Sequence, residues 1–95
     1  MNPATQRKSD ALARKRRGYI KAAMQHAWTG YQTHAFGADE LGPVSGKPNS
    51  HWGGIGTTLV DALDTLWLMD MKDEFYEARV SLITKEDLKC SLLSL

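Results

Sequence analysis

The chain has 95 residues, with 12 Lys and Arg against 11 Asp and Glu and a formal charge of +1, so no strong overall field draws it to nucleic acid or to an anionic membrane. An apolar fraction of 42% beside 24% charged residues belongs to a chain that folds, which excludes wholesale disorder. No apolar run approaches the roughly 18 residues of a membrane span, Met1 to Leu12 lacks the apolar core of a secretory signal, and the single cysteine, Cys90, excludes an internal disulfide.

Residues 1–12 are polar, carry Pro3 and show no sustained period, and are read as a flexible lead. Between Asp10 and Ala35 the residues Ile20, Ala23, Met24, Ala27, Trp28 and Tyr31 recur at steps of three and four, which predicts a helix with one apolar stripe. Its basic run, Arg14 to Arg17, reads as a solvated face. A membrane-surface or nucleic-acid patch is the alternative, and it predicts binding that salt weakens.

From Phe36 to Gly56 come six of the eight glycines and two of the three prolines, a density that forbids a regular helix and weakens any strand. A structured loop or a loose linker is expected, and loops of about 20 residues are often functional. The spacing matches neither dinucleotide-binding nor P-loop glycine patterns. Asp39 and Glu40 within it are read as ordinary exposed acids, with a sugar or cation contact open to them.

Thr58 is read as the N-cap of the next helix, with Asp61 three residues on returning the bond. Leu59, Leu63, Leu66 and Trp67 form its stripe, and Val60 and Leu68 lie off that stripe, the pattern of an inner helix of a larger assembly. A third helix is predicted from Asp73 to Ile83, with Phe75, Ala78, Arg79 and Leu82 on one face. Beyond Thr84 a short turn of helix through Leu88, Leu92 and Leu93 is expected. All of this makes the chain all-α.

The chemistry available by spacing is thin. Asp61 and Asp64 stand three apart on one helix, where they could flank a sugar or share a cation, but capping and solvation explain them as well. His26, His34 and His51 have no metal-ligand spacing. Cys90 has no partner that would activate it. Arg79 could pair with Asp64 or Glu77.

Four ordered blocks carry a resemblance. His26-Ala27-Trp28-x-Gly30-Tyr31, then Ala35-Phe36-Gly37-x-Asp39-Glu40-Leu41-x-Pro43-Val44-Ser45, then Thr58-Leu59-Val60-Asp61-Ala62-Leu63-Asp64-Thr65-Leu66-Trp67, then Glu74-Phe75-x-Glu77-Ala78 resemble the start of the class I α-1,2-mannosidases, glycoside hydrolase family 47. The likeness covers about Ile20 to Arg79. It implies the N-terminal helices of a truncated (α/α)7 barrel, with the helices of Tyr31 and Trp67 as the first two. It implies removal of α-1,2-linked mannose from N-linked high-mannose glycans with inversion, a bound calcium whose ligand is absent from this chain, and a membrane-anchored parent in the endoplasmic reticulum or Golgi lumen. Asp61 matches an acidic position that the family directs towards its cavity, which makes it the substrate-binding candidate; no catalytic residue or metal ligand is assigned.

The family pattern departs after Arg79. The Val-Phe-Glu block that holds a catalytic acid has no counterpart in Val80 to Leu95. The expected organisation is therefore a lead over 1–12, the N-terminal part of a mannosidase catalytic domain over 13–83 and a divergent tail over 84–95. The isolated chain is expected to be inactive, because acid and base in an inverting hydrolase sit about 6.5–9.5 Å apart, whereas Asp61 and Asp64 share one helix with Cβ atoms about 5–6 Å apart. A high-mannose glycan is the expected partner, and nucleic acid is not. The alternatives are a small helical interaction module without catalysis, and a fragment of the related proteins of endoplasmic-reticulum-associated degradation.

Overall fold

A computed structural model describes the backbone of residues 2–93 and the side chains as far as Lys85. Three helices account for most of it: α1 over Pro3–Ala35, α2 over Thr57–Leu68 and α3 over Lys72–Leu93. Between α1 and α2 lies a two-residue antiparallel pair, β1 (Glu40–Leu41) and β2 (Pro48–Asn49), with Glu40 opposite Asn49 and Leu41 opposite Pro48. The all-α expectation holds. The ring of a complete barrel is not formed by these three helices.

α1 begins at Pro3, almost five turns before the periodic stripe opens at Ile20. Asn2 caps it, its side-chain Oδ1 accepting from the Ala4 amide at 2.8 Å, and Pro3 occupies the first helical position, where its missing N–H costs nothing. Residues 3–12, read as a flexible lead, are thus drawn into the helix. Absence of period meant only that no face is buried there, and every residue from Asn2 to Ile20 is indeed exposed; Ala, Gln, Arg, Lys and Leu carry the helix by propensity alone. Of the predicted stripe only the C-terminal turns bury: Trp28 and Tyr31 are core, joined by Ala35, whereas Ile20, Ala23 and Ala27 are exposed. At about 1.5 Å per residue α1 outruns the body it packs on, and the molecule measures 66 × 31 × 20 Å.

α2 and α3 form a tight antiparallel pair. The α2 C-terminus closes as a Schellman motif: the Met71 amide donates to the Leu66 carbonyl at 2.9 Å and the Asp70 amide to the Trp67 carbonyl at 3.1 Å, with Asp70 in the left-handed region at φ 58°. The side chains that this motif brings together, Leu66 and Met71, are both buried, the apolar contact that accompanies such caps. α3 then starts with Asp73 and Glu74 in its first turn, where acids favour the helix dipole. It runs without a break to Leu93, so the segment expected to end at Ile83 and resume as a short turn is one continuous helix. Leu88, Cys90, Leu92 and Leu93 lie beyond the described side chains.

The core is small: Trp28, Tyr31, Ala35, Leu59, Leu66, Met71 and Ala78, with Met24, Phe36, Leu41, Leu63, Phe75 and Leu82 packed round it. Leu59, Leu66 and Ala78 are fully buried, and the Ala78 methyl is what lets α3 approach α2 closely. Of the face predicted for α3, Ala78 is buried, Phe75 and Leu82 are half-buried and Arg79 is exposed. Trp67 leaves the stripe; it lies at the rim, with the Phe75 ring 5.1 Å away and the Lys72 ammonium 3.9 Å over its own ring, a cation–π contact. Val60, Trp67, Leu68, Tyr76, Val80 and Ile83 all present apolar surface to solvent, more than a chain of this size ordinarily leaves uncovered.

Leu66→Ala should lose about 2–5 kcal/mol, enough to melt the α2–α3 pair, seen as a fall in far-ultraviolet circular dichroism and in amide protection over residues 57–83. Leu68→Ala, two residues on and exposed, should leave both signals within error.

Candidate functional site

The only fully buried charged side chain among the described residues is Asp39, in the glycine-rich loop. Its Oδ2 accepts from the amides of Trp52 at 2.8 Å and Gly54 at 2.9 Å. Its Oδ1 accepts from the amides of Gly56 at 2.9 Å and Thr57 at 3.2 Å and from the Thr57 hydroxyl at 3.2 Å. Its main-chain carbonyl takes the Thr58 amide at 3.0 Å and the Thr58 hydroxyl at 2.7 Å. One residue thereby gathers the backbone from 52 to 58.

The arrangement follows from what each partner lacks. The first amides of a helix have no acceptor within it, and α2 opens at Gly56, which lies in the left-handed region at φ 79° and makes no side-chain cap. Gly54, at φ 69°, holds the same kind of backbone just upstream. These glycines turn successive N–H groups inwards, and a carboxylate carried in from position 39 meets them together with the positive end of the α2 dipole. Burial by itself would raise the Asp39 carboxyl, but the amides of Gly54, Thr57, Gly56 and Trp52 outweigh it and hold it down at about 2.

Two sequence expectations are corrected by this. Asp39 is not an exposed loop acid, and with its oxygens already engaged it is not free to take a sugar or a cation. Thr58 does not cap α2 and Asp61 returns no bond to it: Gly56 is the N-cap, and the Thr58 amide that Asp61 would take in a capping box already donates to the Asp39 carbonyl.

Tyr31 ties the same loop to α1. Its hydroxyl donates to the Ala38 carbonyl at 2.7 Å and accepts from the Gly37 amide at 3.1 Å. Burial pushes the Tyr31 pKa up, the Gly37 amide works against that, and the nearby Asp39 charge adds to the rise. Lys85 of α3 reaches the Gly37 carbonyl through its ammonium, and Gln32 of α1 donates to Glu77 of α3 at 2.9 Å. The Trp28 indole Nε1 is buried without an acceptor among the described residues.

Asp61 and Asp64 stand apart from this network. Both are exposed, on the face of α2 opposite Leu59 and Leu66, and Asp64 Oδ1 accepts from the Thr65 amide at 2.8 Å. The helix offers them outwards, with no catalytic partner beside them among the described residues. His26, His34 and His51 are exposed and scattered along α1 and the loop, and among the described residues no three His, Cys, Asp or Glu side chains gather as a metal site. The described residues offer no donor set that fits calcium.

Asp39→Asn keeps the shape but replaces an acceptor oxygen by a donor facing amides, and should strip hydrogen-exchange protection from Trp52, Gly54, Gly56 and Thr57. Because the folded-state value of about 2 lies below the ordinary 3.8, the unfolded chain takes the proton first. The stability from this carboxylate is therefore complete above the ordinary value and lost as pH falls through the folded one. An acid titration of that protection should show the loss in the parent chain, and the Asn variant should start unprotected.

The arrangement of blocks along these helices has known counterparts. The model of glycosyl hydrolase family 47 matches residues 23–91, running past Arg79 into the stretch read as a divergent tail. The endoplasmic reticulum mannosyl-oligosaccharide 1,2-alpha-mannosidase of Rattus norvegicus is 55% identical over 65 residues, 68% of this chain and 10% of its own. The mannosyl-oligosaccharide 1,2-alpha-mannosidase IA of Sus scrofa is 51% identical over 74 residues, 75% of this chain and 11% of its own. The corresponding alpha-1,2-mannosidase IA of Drosophila melanogaster is 42% identical over 74 residues, 74% and 11%. The chain thus spans about a tenth of the length of the curated relatives it matches, and the match takes in α2, Asp39 and the end of α1 together: it belongs to glycosyl hydrolase family 47.

Proposed function

We propose that the chain is the N-terminal portion of the catalytic domain of an α-1,2-mannosidase, whose parent trims α-1,2-linked mannose from N-linked high-mannose glycans with inversion. The observation that carries this reading is the identity of 55% over 65 residues with a relative whose name states that activity. The parent would act in the lumen of the endoplasmic reticulum or the Golgi, and the processing enzymes are favoured over the degradation branch by the names matched. Calcium belongs to that parent chemistry and is not supplied by these residues.

Asp61 is the substrate-binding residue in this reading. Its exposed carboxylate, on a helix whose other side is core, is free to meet sugar hydroxyls once further helices close a cavity over it. The uncovered apolar residues Val60, Trp67, Val80 and Ile83 are the surface such helices would cover. With no acid and base set across a sugar ring among its described residues, the chain alone is expected not to hydrolyse.

Incubation of the purified chain with calcium and an α-1,2-linked oligomannose should release no mannose, and turnover would show that the reading of these carboxylates is wrong. In a family-47 mannosidase whose corresponding segment is replaced by residues 23–83, Asp61→Asn should lower kcat/KM about 10- to 100-fold, the worth of a hydrogen bond to a charged group, while Asp64→Asn lowers it far less. Equal effects at both positions would remove Asp61 from the binding role.

A further inference from the structure

The ring of Trp52 has no part in the core. Its residue serves Asp39 through the main chain, but the side chain is 64% exposed and belongs neither to the buried cluster nor to the residues packed round it. An exposed indole is ordinarily free to turn. This one is fixed at two points, the main-chain N–H donating to Asp39 Oδ2 at 2.8 Å and the indole Nε1 donating to Glu40 Oε1 at 2.9 Å. The second bond meets the ring at its edge, in the ring plane, and so holds the indole without covering its faces.

Two polar side chains stand together at that edge. Glu40 and Asn49 are opposite each other in the β1–β2 pair, so their side chains leave the same face of the hairpin with Cβ atoms about 4.5–5.5 Å apart. Asn49 Oδ1 accepts from the His51 amide at 2.9 Å, which leaves the Asn49 NH2 group to offer its donors elsewhere. The indole takes one oxygen of the exposed Glu40, and the other, Oε2, has no partner among the described residues.

We propose that Trp52, Glu40 and Asn49 form a binding site for a neutral pyranose, its C–H face stacked on the indole and neighbouring hydroxyls held by Glu40 Oε2 and the Asn49 amide. The face of the indole is the negative side of its quadrupole and attracts polarised C–H groups. A hydroxyl donates to the carboxylate and accepts from the amide, so it suits both. An anion would meet the Glu40 charge, and a cation on the ring would meet the Asn49 donors. The indole is already in place, which spares the ordering cost of binding. The inference rests on the glycan reading above and deepens it: Trp52 and Thr57 share Asp39 as acceptor, which sets the site at the end of α2 nearer Asp61.

The test is a nitrogen-15 correlation spectrum of the whole chain titrated with an α-1,2-linked oligomannose, in which Trp28, Trp52 and Trp67 each give one indole resonance. The Trp52 indole and the Asn49 side-chain amide should move together and saturate in the millimolar range, while the buried Trp28 indole stays still. Trp52→Ala should abolish the movement at Asn49 and leave Gly54 and Gly56 protected, because the main-chain amide to Asp39 remains. Glu40→Gln keeps the shape and loses the charge, and should weaken binding about tenfold. A Trp52 indole that does not move, movement of Trp67 in its place, or an Asn49 amide that still moves in Trp52→Ala would overturn the proposal, as would tetramethylammonium moving Trp52 where the sugar does not. Binding at Trp52 beside a family-47 chimera that shows no turnover would keep this site and remove the mannosidase reading. A chimera that turns over while Trp52 stays silent would remove the site and keep the reading.

Discussion

A buried carboxylate surrounded by backbone amides organises this structure. Asp39 costs free energy to desolvate, and the cost is met only because Trp52, Gly54, Gly56 and Thr57 all turn an N–H towards it. The dependence runs both ways: without the acid, the glycine-rich backbone between β2 and α2 has inward-pointing donors and no acceptor, and α2 has an uncapped start. The position of α2 against α1, and through the Schellman turn of α3 against both, follows from this one side chain. Tyr31 secures the other end of the loop at Gly37 and Ala38, so the segment is held at its entry by α1 and at its exit by Asp39.

Seen this way, the four blocks that resemble the mannosidases are four parts of one contact. Trp28 and Tyr31 come from the first, Asp39 from the second, Thr58, Leu59 and Leu66 from the third, and Phe75 and Ala78 from the fourth, and apart from Thr58 all of these are core, packed on it or the buried acid itself. Thr58 is joined to the acid through its amide and hydroxyl. What the blocks encode in this segment is mostly architecture. Asp61 and Asp64 are exposed within the third block, and the sugar-binding role proposed for Asp61 rests on the family position that it matches.

Much of the fold was legible in the residues. The steps of three and four that end at Tyr31, and the run from Leu59 to Leu66, placed α1 and α2, because a buried stripe imposes its period on the sequence. The early start of α1 was not legible by that route, since an exposed helix has no stripe and rests on Asn2, Pro3 and propensity. Asp39 was missed for a different reason. Its partners are main-chain amides, which leave no side-chain pattern; the available hint was a density of glycines immediately before Thr57 and Thr58 with no acceptor of their own. The capping assigned to Thr58 and Asp61 failed on the same point, because local spacing does not reveal a cap delivered from 17 or more residues away.

The fold depends on Asp39 being ionised and encircled by amides in the folded chain. Carbon-13 observation of its side-chain carboxyl through an acid titration tests this most directly. The expected midpoint is about 2, against an ordinary value of 3.8, with the amide resonances of Gly54 and Gly56 moving over the same range. A midpoint at the ordinary value, with those amides indifferent to it, would show that Asp39 is not the buried acceptor on which the loop and α2 rest.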